Sequence, residues 1–365
     1  MEFETLLPRI VRPPTAHTPV LKSAAIRTEP QDFQVDEIPT YLPNGSGEHL
    51  YLWVEKTDVS AGELISRLSR LLKIAARDIG VAGQKDRRAI TRQFVSVPRS
   101  CEPLLSEFSD RQVRILSVSA HGNKLRTGHL RGNRFCIVLH PAAGETFSET
   151  QTKHVRQRLA ELARTGFPNY FGPQRFGFDG NSIRDGIAVL RGSGDAPRWK
   201  PQQRRRMRRL VASAAQSAVF NLVLADRVQS GSFTIPQSGD VVCQRGGIRP
   251  FLFDERGNTP EDAVVPMGPM PGPKMLAATK TVHQREIERL ADLQLTEDDF
   301  RRSPKLTPGV RRCFVEFPTD VSATLMPDGS IETRFALSAG SFATALLAEV
   351  VGVMESAQSF GRGTA

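Results

Sequence analysis

One stretch of the sequence concentrates residues that can do chemistry. Gly83-Gln84-Lys85-Asp86-Arg87-Arg88-Ala89-Ile90-Thr91-Arg92-Gln93 holds a single acid, Asp86, among Lys85, Arg87, Arg88 and Arg92. Cations that close favour the ionised form of a carboxylate, even a partly buried one. An ionised and desolvated carboxylate can serve as a nucleophile or as a base. The same pattern also describes a surface turn in which Asp86 only neutralises its neighbours, and short motifs recur by chance. No second cluster competes with it. Cys101, Cys136, Cys243 and Cys313 lie far apart with no CxxC pair, and the seven histidines show neither HxxxH nor HExxH spacing. No metal site is expected, and the thiols read as buried and reduced.

The elements around that stretch alternate between strand and helix patterns. His49 to Thr57 reads as a strand, with Leu50, Leu52 and Val54 alternating against Tyr51, Trp53 and Glu55. Ser60 and Glu63 form a capping-box pattern. The helix they open carries Leu64, Ile65, Leu68, Leu71, Leu72 and Ala75 on one face. Ile90 to Val97, Val113 to Ser119 and Arg134 to His140 read as strands, and Asp86 sits in the loop before the first of them. Further helices are expected over Thr152 to Arg164, Met207 to Val228 and Val282 to Leu293, and a closing one carries Phe342, Leu346, Leu347, Val350 and Val351. Strands are expected at Asp240 to Gln244, Cys313 to Phe317 and Ile331 to Leu337, the last after a turn at Pro327-Asp328-Gly329. The first 20 or so residues, with Pro13 and Pro14, read as extended. A β-rich start and a β-rich end therefore flank a helical middle, which suggests an α+β chain whose first domain is interrupted by a second.

With 365 residues the chain has room for two cores, and 39% hydrophobic and 24% charged residues are ordinary for a globular protein. No run approaches the roughly 20 apolar residues of a membrane helix. Met1-Glu2-Phe3-Glu4 opens neither a basic nor an apolar signal, so a cytoplasmic location is the expectation. A net charge of +10 points toward a polyanionic partner. Part of that charge is concentrated in Arg204-Arg205-Arg206-Met207-Arg208-Arg209, which reads equally as a solvated helix start or as a patch that grips phosphates.

Six blocks, in order, resemble the TruD family of pseudouridine synthases. Gly83-Gln84-Lys85-Asp86-Arg87, with Ala89 and Thr91, resembles the family pattern GxKDRxAxT. Pro30-Gln31-Asp32-Phe33 resembles PEDF, and Gly132-Asn133-Arg134-Phe135 resembles GNxF. The segment from Gly166 through Pro168-Asn169-Tyr170-Phe171-Gly172 to Gln174-Arg175-Phe176-Gly177 is similar to G-PNYFG-QRFG. Ser213 to Asn221 is similar to SAxRSxxFN, and Ala339-Gly340-Ser341-Phe342-Ala343-Thr344 matches AGSFAT. Together they run from Pro30 to Thr344.

The resemblance implies an α+β fold: a discontinuous pseudouridine-synthase domain with a mixed β-sheet, interrupted by a mostly helical α/β TRUD domain. By analogy residues 1–165 and 317–365 form the catalytic domain and 166–316 the insertion. Asp86 would be the catalytic carboxylate, adding to the ribose, adding to the base, or removing a sugar proton. Phe33, Phe135 and Phe342 would line the uridine pocket, and Asn133 would hydrogen-bond the uracil edge. Lys85 would hold Asp86 in place or contact phosphate. The isomerisation needs no cofactor and no metal. The implied substrate is tRNA, at uridine 13 of the D stem as in bacterial members, with no DNA and no membrane as partners and a monomer as the default.

Three positions depart from the pattern: Arg88 stands where His is frequent, Gln31 where Glu is usual, and Gln216 where the SAxRS helix has Arg. Other classes fit less well. A methyltransferase would need a glycine-rich loop after a strand, and the nearest stretch, Arg191 to Asp195, follows a helical pattern. No helix-turn-helix or zinc-finger spacing supports a DNA-binding protein. A non-catalytic RNA-binding protein on the same scaffold would leave Asp86 unused.

Overall fold

The computed structural model describes residues 3–26, 28–193, 197–254 and 260–356. The chain forms two compact units: one holds residues 19–165, 317–343 and the chain from Val350 onward, and the other the segment up to Thr18, Gly166–Glu316 and Thr344–Glu349.

The first unit is built on one large sheet, whose eight strands are numbered in chain order. They are β1 (Phe33–Pro39), β2 (His49–Thr57), β3 (Gly80–Val81) and β4 (Ile90–Pro98). The remaining four are β5 (Val113–His121), β6 (Leu130–Leu139), β7 (Thr319–Leu325) and β8 (Ile331–Ser338). The spatial order is β7-β8-β6-β1-β4-β2-β5, with the short β3 against β4. Every pairing is antiparallel except that of β1 with β4, so the sheet is mixed. In β2 the alternation read from sequence holds. Leu50, Leu52 and Val54 point to one face and pack with Val95 and Val97 of β4 against Leu64 and Leu68 of the helix Ala61–Leu71 and the capping Leu72.

Ser60 caps that helix, its hydroxyl accepting the Glu63 N–H at 3.2 Å. The reciprocal half of the expected capping box is absent, because the Glu63 carboxylate turns to Arg67 at 2.5 Å. Lys73, at φ 53°, ends the helix. Leu71 is therefore left exposed and Ala75 lies outside the helix. The helix Glu149–Thr165 buries Val155, Leu159 and Leu162.

The second unit centres on the helix Pro201–Gln229, which begins six residues earlier than its apolar face suggested and takes in the arginine run. A four-stranded antiparallel sheet orders Phe251–Leu252, Val241–Gln244, Val264–Met270 and Val310–Cys313. The expected strand from Cys313 to Phe317 is two pieces interrupted at Phe314, and Val315–Glu316 pairs instead with Phe167–Pro168. Cys243 and Cys313, 70 positions apart, bring their sulfurs to 3.3 Å; all four cysteines are free thiols.

Two terminal expectations are corrected. The N-terminal segment is not extended: Phe3–Val11 is a helix that buries Leu6 and Ile10, four residues apart on one face, in the second unit. The closing helix is only Ala343–Ala348, and Val351–Ser356 is a strand parallel to Leu21–Ile26. A short, fully apolar run has no period that separates helix from strand. The β-branched Val350 and Val351 favour strand here, and Gly352 permits the close approach to the Lys22 carbonyl. Residues 344–349 and those up to Thr18 thus group with 166–316, although both lie outside the insertion expected from sequence. No described helix is long and apolar enough to cross a membrane. Among the described residues no group of three or more His, Cys, Asp or Glu could hold a metal ion. Of the stretch from Arg191 to Asp195, Gly194 and Asp195 lie outside the described residues.

Candidate functional site

Asp86 is half-buried in the loop between β3 and β4, and two interior contacts fix that loop to the sheet. Lys56 of β2 donates from Nζ to the main-chain oxygen of Asp86 at 2.7 Å. Lys85 reaches into the interior and pairs its ammonium with the Glu37 carboxylate of β1 at 2.8 Å. The second Glu37 oxygen accepts the Phe94 N–H of β4 at 3.4 Å. Lys56 is fully buried, and burial pushes its amine down to about 8, with the nearby charge of Asp86 opposing the shift and that of Lys85 adding to it.

The cation shell expected around Asp86 is rearranged. Because side chains alternate along β4, Thr91 faces the interior and Arg92 the other side. Arg92 there bonds Asp36 at 3.0 Å and Glu55 at 2.9 Å. Arg87 makes only a loose surface pair with Asp58 at 3.7 Å, and Arg88 is exposed. A cation that does touch Asp86 is Lys56, which the motif does not contain. Its signal was in the alternation of β2: Lys56 stands in phase with Leu50, Leu52 and Val54, where an apolar residue is the rule. Glu37 stands likewise in phase with Phe33 and Val35.

The small residues of the motif have steric reasons. A Cβ on Gly83 would sit 3.1 Å from the Leu130 side chain and 3.7 Å from the Lys85 ammonium. Ala89 is fully buried where the loop turns into β4, its carbonyl accepting the Asp58 N–H at 3.2 Å. Thr91 then continues a row of side chains across five strands, Phe335, Phe135, Val35, Thr91 and Lys56, each opposite the next. The neighbouring row places Leu337, Asn133 and Glu37 side by side.

Phe33, Phe135 and Asn133 therefore share the face to which the Asp86 loop is pinned. The Phe33 and Phe135 rings meet edge-on at 6.2 Å, and Phe135 stacks on Phe335 at 5.4 Å. Phe342 is half-buried in the segment after β8, whose Leu337 and Ser338 lie opposite Asn133 and Gly132. Gly132 is needed as glycine, because a Cβ would overlap the Leu337 carbonyl. Four buried atoms on this face have no hydrogen-bond partner among the described residues: Asn133 Oδ1, Thr91 Oγ1, and both Oε1 and Nε2 of Gln93. Thr91 and Gln93 are fully buried, whereas Asn133 is half-buried, so of these atoms Asn133 Oδ1 lies nearest the surface of this face. Lys85, expected either to hold Asp86 in place or to contact phosphate, has its amine engaged by Glu37 in the interior.

Residues 21–196 and 201–350 match the family model for tRNA pseudouridine synthase D (TruD). The chain belongs to the TruD family. It is 37% identical to tRNA pseudouridine synthase D of Anaeromyxobacter sp. (strain Fw109-5) over 333 residues, covering 90% of this chain and 92% of that one. To a protein of the same name from Thermus thermophilus it is also 37% identical, over 90% and 88% of the two chains. Its fold is similar to that of a crystal structure from Methanosarcina mazei carrying the TruD name. The TM-score is 0.73 at 21% identity, over 97% of this chain and 99% of that one.

The TruD blocks in the second unit serve its architecture. Asn221 bonds both the N–H and the carbonyl of Phe171, at 3.0 Å each, and donates to the Ile10 carbonyl at 2.9 Å. Arg175 is held by the Ser213 and Ser217 hydroxyls, so these serines are acceptors rather than mere small residues. Arg312 lies 4.2 Å over the Phe171 ring and bonds Asn169 at 2.5 Å. Gln216, the departure from the TruD pattern, donates to the Pro271 carbonyl at 2.6 Å.

Proposed function

We propose that this TruD chain isomerises uridine 13 in the D stem of tRNA to pseudouridine, with Asp86 as the reacting carboxylate and no cofactor. The observation that carries this reading is the double tether of the Asp86 loop, by Lys56 and by Lys85 through Glu37, to the face that holds Phe33, Phe135 and Asn133. Positioning of this kind is what a carboxylate needs if it is to meet one atom of a bound nucleoside, since misplacement by about 1 Å costs on the order of 100-fold in rate.

The chemistry is balanced within the substrate. The bond from uracil N1 to ribose C1′ breaks, the base turns, a new bond forms from C5 to C1′, the C5 proton leaves and N1 takes up a proton. No electron is gained or lost. Asp86 can open this sequence by adding to the ribose, by adding to the base, or by removing a sugar proton, and each route starts from a carboxylate at the same place. The uridine must first leave its stack, which costs a few kcal/mol. Aromatic faces offset this by about 1–3 kcal/mol per base. Phe33, Phe135 and Phe342 take that role. Asn133 offers its Oδ1, without a partner among the described residues, to the uracil imide N–H and its amide N–H to a uracil carbonyl. The enzyme acts in the cytoplasm as a monomer, in keeping with the sequence reading.

The test is to incubate unmodified tRNA transcripts with the protein in excess chelator and map pseudouridine by reverse-transcription stops after carbodiimide treatment. A stop reporting position 13, undiminished by the chelator, is expected. A stop elsewhere, or a requirement for added metal, contradicts the proposal.

A further inference from the structure

The helix Pro201–Gln229 begins with a run of arginines that no carboxylate among the described residues answers. Arg204, Arg205 and Arg208 line a cleft of about 690 Å³ together with Arg302, Ser303 and Lys305 of a segment roughly 100 positions later, and among the described residues no acidic one lines it. Among the described residues no ion pair reaches Arg204, Arg205, Arg208 or Lys305. Arg302 alone has a partner, Asp299. Arg204 and Arg208 stand one turn apart on the same helix face, a like-charge spacing that disfavours the helix. The second cationic segment adds to that repulsion. Charges concentrated this way without a structural counterion raise the potential of the cleft for an anion.

We infer that this cleft, in the unit built from 166–316, binds successive phosphates of the RNA backbone; the inference rests on the tRNA reading of the active site. Arginine forks match phosphate oxygens in pairs. At about 1.5 Å of rise per residue, Arg204 and Arg208 are about 6 Å apart along the axis, enough to engage neighbouring phosphates rather than one. Among the described residues the lining has no aromatic ring for a base, and its cations exceed what one phosphate neutralises, so the ligand is a polyanion read through its backbone. Such a contact adds affinity without sequence preference, and its strength falls as salt rises.

The experiment compares three full-length proteins: the parent, Arg204→Gln/Arg208→Gln, and a control, Arg184→Gln/Arg285→Gln, that removes equal charge elsewhere in the same unit. Arg204 is exposed and Arg208 half-buried, so folding is retained, and circular dichroism checks it. Binding of a fluorescein-labelled unmodified tRNA transcript is followed by anisotropy from about 50 to about 300 mM KCl. The cleft variant is expected to bind at least about tenfold more weakly at low salt, with the slope of log Kd against log salt reduced by about 1–2; the control should stay within about threefold of the parent. Equal losses in the two double variants, or a cleft variant that matches the parent, overturns the assignment. So does a variant that still holds tRNA normally yet loses anionic lipid vesicles. Binding is read without turnover, so a parent that grips tRNA here but isomerises no uridine refutes the proposed function and leaves the cleft standing. Turnover with an idle cleft does the reverse.

Discussion

Asp86 owes its position to side chains that belong to other strands. Lys56 holds its carbonyl and Lys85 ties the adjacent backbone to Glu37, so the loop is pinned from both sides of β4. Lys56→Met keeps the volume and removes the donor; kcat/KM is expected to fall about 10–100-fold through misplacement of Asp86. The same variant reads out in stability against pH. The folded-state amine titrates near about 8 and the unfolded one near 10.5, so between those values the unfolded chain binds more protons. The parent's stability contribution from Lys56 therefore rises with pH across that window, by about 1–2 kcal/mol at pH 9.5. Urea titrations at pH 7.5 and 9.5 should show the parent gaining on the Met variant, and a constant difference would contradict the buried-amine account. Asn133→Ala separates function from folding. It deletes a buried oxygen without a partner among the described residues, so melting should be unchanged or higher, while kcat/KM falls about 10–100-fold. A variant that loses both would make Asn133 a packing residue. At this scale the sequence offered the acid and Lys85 beside it but not Lys56 or Glu37, which lie in other strands and are recognised only by their inward phase.

At the scale of elements, β2, β4, β6 and β8 were legible because each obeys a period of two, whereas β1, which carries Phe33 and Glu37, was not read as a strand. His49–Thr57 matches its reading residue for residue, and Ile90–Pro98 and Ile331–Ser338 each run one residue longer. What alternation cannot give is the lateral order. β1 sits between β6 and β4, and only that order places Asn133 beside Glu37 and Phe135 beside Val35. Gly132 is where this order is most exposed to mutation, since β8 passes too close for a Cβ. Gly132→Ala should lower the melting temperature and depress activity together, which thermal unfolding and initial rates can show. A full-activity variant would mean that β6 and β8 can part without moving Asn133. β7 was missed because Thr319–Leu325 mixes polar and apolar residues on an edge strand, and the closing helix was overextended because its valines fit either structure.

For the whole molecule, the two units are each assembled from separated stretches of chain. Composition and motifs indicated two cores; contacts place the first 18 residues and Thr344–Glu349 with the 166–316 segment. That choice follows from burial. Leu6 and Ile10 are fully covered, Arg9 meets Asp226 at 2.6 Å, and Glu349 receives the Ala16 and His17 N–H groups at 3.0 and 2.8 Å. Removing residues 1–12 should therefore destabilise the 166–316 unit by several kcal/mol, as the loss of two buried large side chains costs about 2–5 kcal/mol each. Hydrogen exchange resolved by peptide would show lost protection in Pro201–Gln229, and unchanged protection there would contradict this assembly. The sequence hid the N-terminal helix because its partners, such as Asp226 and Asn221, lie more than 200 positions away.

The central claim is that Asp86 performs the isomerisation. Tritium release from tRNA labelled at uridine C5 tests it directly, with the parent compared against Asp86→Asn. Release by the parent and none by the variant, with tRNA binding within a few-fold, is the predicted result. Release that persists in Asp86→Asn would remove Asp86 from the chemistry.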